Sequence, residues 1–275
     1  IIYYLVHQIP KQMKKYLPFI ILCCMSMTIP HTPIGSTCSI KNYAFQAGEY
    51  VNMVVYYNTL GIYVGAGEAN FTTTLERMNG KPVYHSVGIG KTYSFFDNFF
   101  KVRDRYESYY DTASLLPYKF VRTVEEGKYK NYNNVTFNQD TKTAVSTKGV
   151  YQFTDCMQDV VSSMYCIRNF DYDKCKEGDK IPFDMFLDDE VFHLYIKYMG
   201  KEKVKTKYGK FNAIKLKPLL IKGTIFEGGE KMTVWVSDDP NHLLLRVQSP
   251  ISVGTIKVDM MGFRNLRYPL SSQIN

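Results

Sequence analysis

Apolar and polar residues alternate with a period of two along nearly the whole chain, and that pattern constrains the fold more than any other feature. In Phe192–Tyr198, the side chains of Phe192, Leu194, Ile196 and Tyr198 share one face, while His193, Tyr195 and Lys197 share the other. Thr255–Met260 sets Ile256, Val258 and Met260 against Thr255, Lys257 and Asp259. Lys231–Val236 does the same with Met232, Val234 and Val236 against Lys231, Thr233 and Trp235. Successive side chains of a strand point to opposite sides, so the pattern marks strands with one buried and one wet face. It recurs at Tyr50–Tyr57, Gly67–Glu76, Pro82–Ile89, Phe99–Tyr110, Tyr118–Glu125, Tyr129–Phe137 and Ala144–Gln152. It continues at Lys201–Lys207, Phe211–Lys217 and Leu243–Val247. Turn signals such as Asn79-Gly80, Asn138–Thr141, Tyr208-Gly209, Gly228-Gly229 and Asp239-Pro240 separate these runs. No helical segments alternate with them, which excludes a parallel βαβ sheet. The expected fold is mainly β: an antiparallel closed or nearly closed β-barrel of roughly 12–14 strands.

One segment departs from the pattern. Between Asp155 and Arg168, Met157, Val160, Val161 and Met164 recur at helical spacing, and Asp155 with Gln158 has the form of a capping box. An amphipathic helix of about three to four turns is predicted over 155–168, packed on the sheet or plugging one end of the barrel. Cys156 and Cys166 would then stand about 15 Å apart, beyond the roughly 7 Å between Cα atoms that a disulfide spans. Cys175, in the loop Asp171–Asp179, can fold back to either. A disulfide from Cys175 to Cys156 or Cys166 is therefore predicted, with Cys166 nearer in sequence.

Met13-Lys14-Lys15 followed by the apolar run Tyr16–Met27 has the layout of a secretory leader. The run falls short of the about 20 apolar residues that span a bilayer. Residues 1–12 are read as upstream sequence and 13–38 as leader, with cleavage between Met27 and Cys38. Residues 39–275 are read as a single barrel domain with no transmembrane span. Leu22, Cys23 and Thr37 precede Cys23, Cys24 and Cys38 and fit a lipobox poorly, so plain cleavage is favoured over a lipid anchor. The expected location is the periplasm or the outer-membrane surface.

The net charge of +8 is mixed along the chain. The densest basic stretch, Lys201–Lys210, alternates Lys with other residues as a protected strand face does, and no nucleic-acid partner is expected. There is no C-x-x-C pair, and His85, His193 and His242 are far apart, so neither a zinc site nor a cofactor is expected. Gly88-Ile89-Gly90-Lys91-Thr92 resembles the end of a phosphate loop, but His85 stands where the first glycine belongs, and a turn is predicted. The acids Asp184, Asp188, Asp189 and Glu190 lack a calcium-loop register and read as a turn between strands. Ser237-Asp238-Asp239 with His242 lacks the strand–turn–helix setting of a nucleophile. The adjacent rings Tyr56-Tyr57, Phe95-Phe96, Phe99-Phe100 and Tyr109-Tyr110 each expose one member, and exposed rings suit a sugar or lipid cavity.

Several pieces, in order, resemble an exported bacterial family, domain of unknown function 3108, common in Bacteroidetes. They are Gly48-Glu49, Tyr57, Gly67-Glu68-Ala69, Asp104-x-x-x-Ser108-x-x-Asp111, Pro117, Arg122 and Glu126-Gly127. Gln158-Asp159-x-x-Ser162-x-x-Tyr165-x-x-Arg168, Gly209-x-Phe211, Trp235-Val-Ser-Asp-Asp239 and Gly254 complete the set. The resemblance implies a YmcC-like antiparallel barrel, residence in the cell envelope and a role near surface polysaccharide. It supplies no reaction. The preferred reading is a non-enzymatic envelope protein that binds a glycan or lipid-like ligand or docks on an envelope protein. Asp159, Arg168, Arg122 and Trp235 are the groups expected to converge on that ligand; the alternative for Asp159 and Arg168 is a structural ion pair fixing the helix to the barrel. Two other functional readings stay open: a hydrolase using paired carboxylates near 184–190 or 238–239, and a purely structural envelope partner.

Overall fold

The alternating runs form strands, and the turns between them carry the backbone that tight hairpins need. In a computed structural model, which describes residues 40–59, 61–221, 228–251 and 254–275, fifteen strands make one antiparallel sheet. The stretch read as a leader, the predicted cleavage region and Cys38 lie outside the described residues. The first half is a meander: β1 (Tyr50–Thr59), β2 (Ile62–Met78), β3 (Lys81–Thr92), β4 (Val102–Asp111), β5 (Pro117–Glu126), β6 (Tyr129–Asn138), β7 (Thr143–Val145) and β8 (Val150–Gln152). A second meander follows: β9 (Lys180–Leu187), β10 (Glu190–Lys205), β11 (Lys210–Pro218), β12 (Thr233–Ser237), β13 (Leu244–Pro250) and β14 (Thr255–Arg264). β15 (Gln273–Ile274) adds beside β11. Asn79-Gly80 joins β2 to β3 with φ of 50° and 79°, and Asp188-Asp189 joins β9 to β10 with φ of 52° and 68°. Two left-handed residues in a two-residue loop give the type I′ turn, whose twist matches that of the strands it connects.

β1 pairs with β2 on one side and β14 on the other, so the meanders join through their first and last strands. The outermost strands, β8 and β9, do not pair, and the sheet is not closed by hydrogen bonds. Side chains draw those edges together instead. Arg122 of β5 donates to Asp188, Lys148 meets Asp189 at 3.0 Å, and the Phe186 ring lies 5.9 Å from Phe137 and 5.6 Å from Tyr151.

Three differences from the sequence reading have simple causes. The run 144–152 is two short strands around a turn, whereas the runs Phe192–Tyr198 and Lys201–Lys207 are one strand with a bulge between Tyr198 and Lys201. β9 was masked by its acids: Asp184 sits within it, opposite His193, and only Asp188-Asp189 form the turn. Gly88–Thr92 is no turn but the end of β3, because both glycines stand opposite strand partners on either side.

A four-residue helix, α1 (Ser94–Asp97), leads into β4. The longer helix, α2, spans Val160–Ile167 rather than 155–168. Its start is delayed because the Gln158 backbone is engaged with β9: its N–H donates to Asp184 O and its carbonyl accepts from Phe186 N, both at 2.9 Å. Cys156, at φ 68°, is outside the helical region as well. Asp159 is therefore the N-cap, with Ser162 completing the capping box, and not Asp155 with Gln158.

The cysteine expectation is overturned. Cys166 and Cys175 are free thiols, and Cys156 is disulfide-bonded to neither. The chain does not turn back at Asn169: that side chain is tied to Tyr43, Ala44 and Tyr165, and a 3₁₀ turn, Tyr172–Lys174, follows. Burial pushes the Cys166 thiol up to about 12 and that of Cys175 up to about 11.

Val161 and Tyr165 of α2, with Met157 just ahead of it, pack in one cluster with Tyr110 of β4, Phe120 of β5, and Val135 and Phe137 of β6. Phe45, ahead of β1, closes the cluster, its ring 4.8 Å from that of Tyr165. The helix thus packs against β3, β4 and β9, and further along the same face the inward residues of β2 to β6 follow.

Candidate functional site

Asp159 and Arg168 occupy the two ends of α2, and each is committed to a partner in the sheet. Asp159 Oδ1 accepts from the N–H groups of Val161 and Ser162, both at 2.8 Å, and Oδ2 accepts from Ser108 Oγ of β4 at 2.5 Å. Burial pushes its carboxyl up to about 6 despite those bonds. Arg168 forms a two-pronged pair with Glu49, at 2.5 and 2.9 Å, and donates from Nε to Asn241 O at 3.1 Å. Both partners are buried, and the guanidinium lies 5.5 Å from the Phe45 and Tyr165 ring centroids. The ion-pair alternative therefore describes Arg168, with Glu49 as the acid, while Asp159 acts as a cap. Trp235 does not join them. Its Nε1 donates to Glu202 at 2.6 Å in an exposed bond, in a row with Lys215 and Arg246. The four residues do not converge.

Arg122 does lie in a polar site, with neighbours the sequence reading did not name. Strand register builds it in rows. The row beneath α2 runs Thr73–Ser86–Ser108–Phe120–Val135 across β2 to β6. Two residues along each strand, about 6.8 Å further, the row is Phe71–Gly88–Tyr106–Arg122–Asn133. The next is Ala69–Gly90–Asp104–Val124–Asn131. Gly88 is used for space: a Cβ there would meet the Phe71 ring at 3.0 Å. At Gly90 a Cβ would find only Asp104 Cβ, at 3.9 Å.

Arg122 and Asn133 are direct cross-strand neighbours, 6% and 3% exposed. One arm of Arg122 reaches Asp188 and the guanidinium also meets the Tyr106 hydroxyl, yet Arg122 Nε and Asn133 Oδ1 have no partner. Next to Asn133's row, Asp104 is hydrogen-bonded to Glu126 of the same face and accepts from Glu125 N at 3.2 Å. Burial, then the charge of Glu126, pushes the Asp104 carboxyl up to about 7. Burial and then Asp104 push Tyr106 up to about 12. Gln158, fully buried at the entry to α2, leaves both atoms of its side-chain amide unpaired. Unpaired buried polar atoms are uncommon in folded proteins. Arg122, Asn133 and Asp104 together offer donors and acceptors to a polar group.

The acids singled out from sequence are engaged elsewhere. Asp184 accepts from Thr154 at 2.8 Å and contacts His193 at 2.7 Å, Asp188 serves Arg122, and Asp189 serves Lys148. Asp238 meets Lys201 at 2.9 Å, and Asp239 accepts from Ser237, Asn241 and Ser272. Ser237 Oγ receives Leu243 N, which fixes the turn before β13. Asp104, Glu126 and Asn133 were placed in or beside strands but not named as site residues, because alternation does not say which residues of different strands become neighbours. Gly48-Glu49 and Arg122 stood in the family pattern, but nothing in it says which are partners.

Among the described residues, no group of three or more His, Cys, Asp or Glu side chains is placed to hold a metal ion, and no helix is long and apolar enough to cross a membrane. No protein of curated function matches the sequence. A β-barrel-like protein of unknown function (DUF1849) from Brucella abortus superposes with a TM-score of 0.54 at 8% identity, over 81% of this chain and 99% of its own. That likeness is one of fold. A predicted exported protein with a YmcC-like fold from Bacteroides fragilis is similar at a TM-score of 0.33 and 10% identity, over 81% of this chain and 100% of its own. A predicted lipoprotein of Parabacteroides distasonis is similar at 0.36 and 12%, over 82% and 100%. The profile of the protein family of unknown function DUF3108 matches residues 52–261, and the chain belongs to that family.

Proposed function

We propose that this DUF3108 protein is a non-catalytic envelope barrel that holds a hydroxyl-rich, glycan-type ligand on its inner face. One observation carries the reading. Arg122, with its Nε donor, and Asn133, with its Oδ1 acceptor, are cross-strand neighbours, and both atoms are buried and unpaired. A sugar hydroxyl both accepts and donates, so hydroxyl groups can satisfy both atoms. Asp104, Tyr106 and Asn131 on the same face add the polar and aromatic contacts that orient a sugar. A lipid chain would leave Arg122 Nε and Asn133 Oδ1 unpaired, at roughly 1–3 kcal/mol each. Residence in the envelope rests on the secretory layout of Met13–Met27.

The hydrolase reading finds less support. Asp104 and Glu126 are the paired carboxylates of this face, but they are hydrogen-bonded to each other. Glycoside hydrolysis wants its two carboxyls about 5–9.5 Å apart, with the bond to be cut between them.

The test is saturation-transfer NMR with a panel of neutral and amino-sugar oligosaccharides, on wild type and on Asn133→Leu. Wild type should bind at least one member, and Asn133→Leu should lose roughly tenfold in affinity, the cost of one unpaired donor. Equal affinity in the two proteins, or no binding across the panel, would sink the reading. A far-UV CD spectrum unchanged by Asn133→Leu separates loss of binding from loss of fold.

A further inference from the structure

The hairpin ends on the side of the sheet away from α2 have an unusual surface. Phe95, Phe99 and Phe100, in and just after α1, are 67%, 74% and 44% exposed. Phe95, Phe96 and Phe99 have ring centroids 5.5–6.4 Å apart, so they form one cluster and not scattered side chains. The cluster is held in place. Thr92 and Arg103 both bond Asp97, Tyr93 N donates to Ala66 O at 2.9 Å, and Phe100 packs over the turn at Gly127, where a Cβ would meet its ring at 2.9 Å. At the hairpins of the same end, Ile62 and Tyr63 on β2 and Tyr129 on β6 are also exposed. A contiguous exposed apolar patch on a rigid frame marks a contact surface.

The charges beside the rings identify the partner. Lys101, Lys128 and Lys130 flank Phe99, Phe100 and Tyr129, and the acid among them is Glu125, at 3.1 Å from Lys101 and 3.5 Å from Lys130. Asp97 is neutralised by Arg103 at 2.6 Å. Three ammonium groups against one outward carboxylate leave this edge cationic. Aromatic rings at loop ends, with lysines alongside on flexible stems, match the layered chemistry of a bilayer surface: acyl boundary, then phosphate. We propose that this rim seats on an anionic phospholipid surface, with Phe95 and Phe99 entering the headgroup–acyl boundary and Lys101, Lys128 and Lys130 on the phosphates. The surface is separate from the inner-face site and does not depend on it.

Co-sedimentation of the full chain with vesicles tests the proposal, using phosphatidylethanolamine–phosphatidylglycerol vesicles and, in parallel, phosphatidylcholine vesicles. All variants share residues 1–39, so any contribution from the apolar run at 16–27 cancels between them. Phe95→Ser/Phe99→Ser should lower partitioning roughly tenfold or more on both vesicle types. Lys128→Glu/Lys130→Glu should lower it roughly tenfold on the phosphatidylglycerol vesicles and leave phosphatidylcholine unchanged. These residues are exposed, so near-UV CD should not move. Partitioning equal to wild type in both variants would overturn the proposal. So would wild type running as an oligomer that Phe95→Ser/Phe99→Ser dissociates, which would make the rim an interface between copies of this chain.

Discussion

The two halves of the inner face treat most of their buried polar groups differently, with the unpaired Gln158 amide at the entry to α2 as the exception in the first half. Beneath α2, Asp159, Arg168 and Asn169 each meet geometrically matched partners, and the Ser86 hydroxyl links Thr73 to Tyr110 at 2.8 and 2.7 Å. One and two rows further on, Arg122 Nε and Asn133 Oδ1 are unpaired, and Asp104 is forced beside a second carboxyl. The same strands supply both halves, so the difference is not one of burial or of element type. A polar group that the protein pairs with itself fixes the fold, whereas one it leaves unpaired is available to something else. The residues that looked most functional from sequence, Asp159 and Arg168, fall in the first class.

The largest expected effects follow from that division. Arg168→Met leaves Glu49 charged, 1% exposed and without its cation, and should cost about 3–5 kcal/mol in urea unfolding. Arg122→Met should cost about 1 kcal/mol or less, because the Asp188 side chain it abandons is 45% exposed and water can solvate it. Equal losses in the two variants would break the comparison. Next in size is Asp159→Ala, which removes the N-cap and the Ser108 bond together and should cost about 2 kcal/mol, with Asp159→Asn recovering most of it. Thermal unfolding of the pair reads the cap directly.

Alternation in the sequence was enough to place most of the strands, because period-2 burial is a local property of each segment. β9 escaped because Asp184 and Asp188 share one short run, and nothing local says that one is mid-strand and the other in a turn. The start of α2 escaped for a different reason. Gln158 is helical by spacing, but its backbone is used by β9, a partner more than twenty residues away in the chain. The site was legible only at Arg122. Asp104, Glu126 and Asn133 become a group through cross-strand register, which one-dimensional spacing does not carry. Trp235 was selected as an aromatic group within the family pattern Trp235-Val-Ser-Asp-Asp239, and that pattern does not say which face of β12 the ring occupies.

The unpaired half should also respond to pH. The Asp104 carboxyl sits at about 7 in the folded protein against about 3.9 when unfolded, so folding favours its protonated form. Its contribution is fully present below the unfolded value and is lost as pH rises through about 7. Asp104→Asn imitates the protonated form at every pH. The variant should match wild type near pH 4 and be more stable above pH 7, by ~1–2 kcal/mol once screening of this half-buried group is allowed for. Urea midpoints measured across that range check both sign and window. A gap that is widest at low pH would contradict the burial of Asp104 beside Glu126. Asp159 shifts in the same direction, through about 6, and cancels in the difference because both proteins carry it.

The smallest effect is the sharpest test of where the site lies. Trp235→Phe removes the exposed bond to Glu202, which keeps Lys215 at 3.2 Å, and the phenyl ring keeps the side chain's packing against the core around Phe211 and Leu245. Stability should change by less than about 0.5 kcal/mol, as for an exposed polar contact. Oligosaccharide binding should not change at all, in contrast to the roughly tenfold loss expected for Asn133→Leu. Side-by-side NMR titrations of the two variants separate the cases. If Trp235→Phe weakens binding as much as Asn133→Leu does, the ligand lies against the surface of β12 and not on the inner face of β4 to β6. The unpaired atoms of Arg122 and Asn133 would then need water alone to explain them.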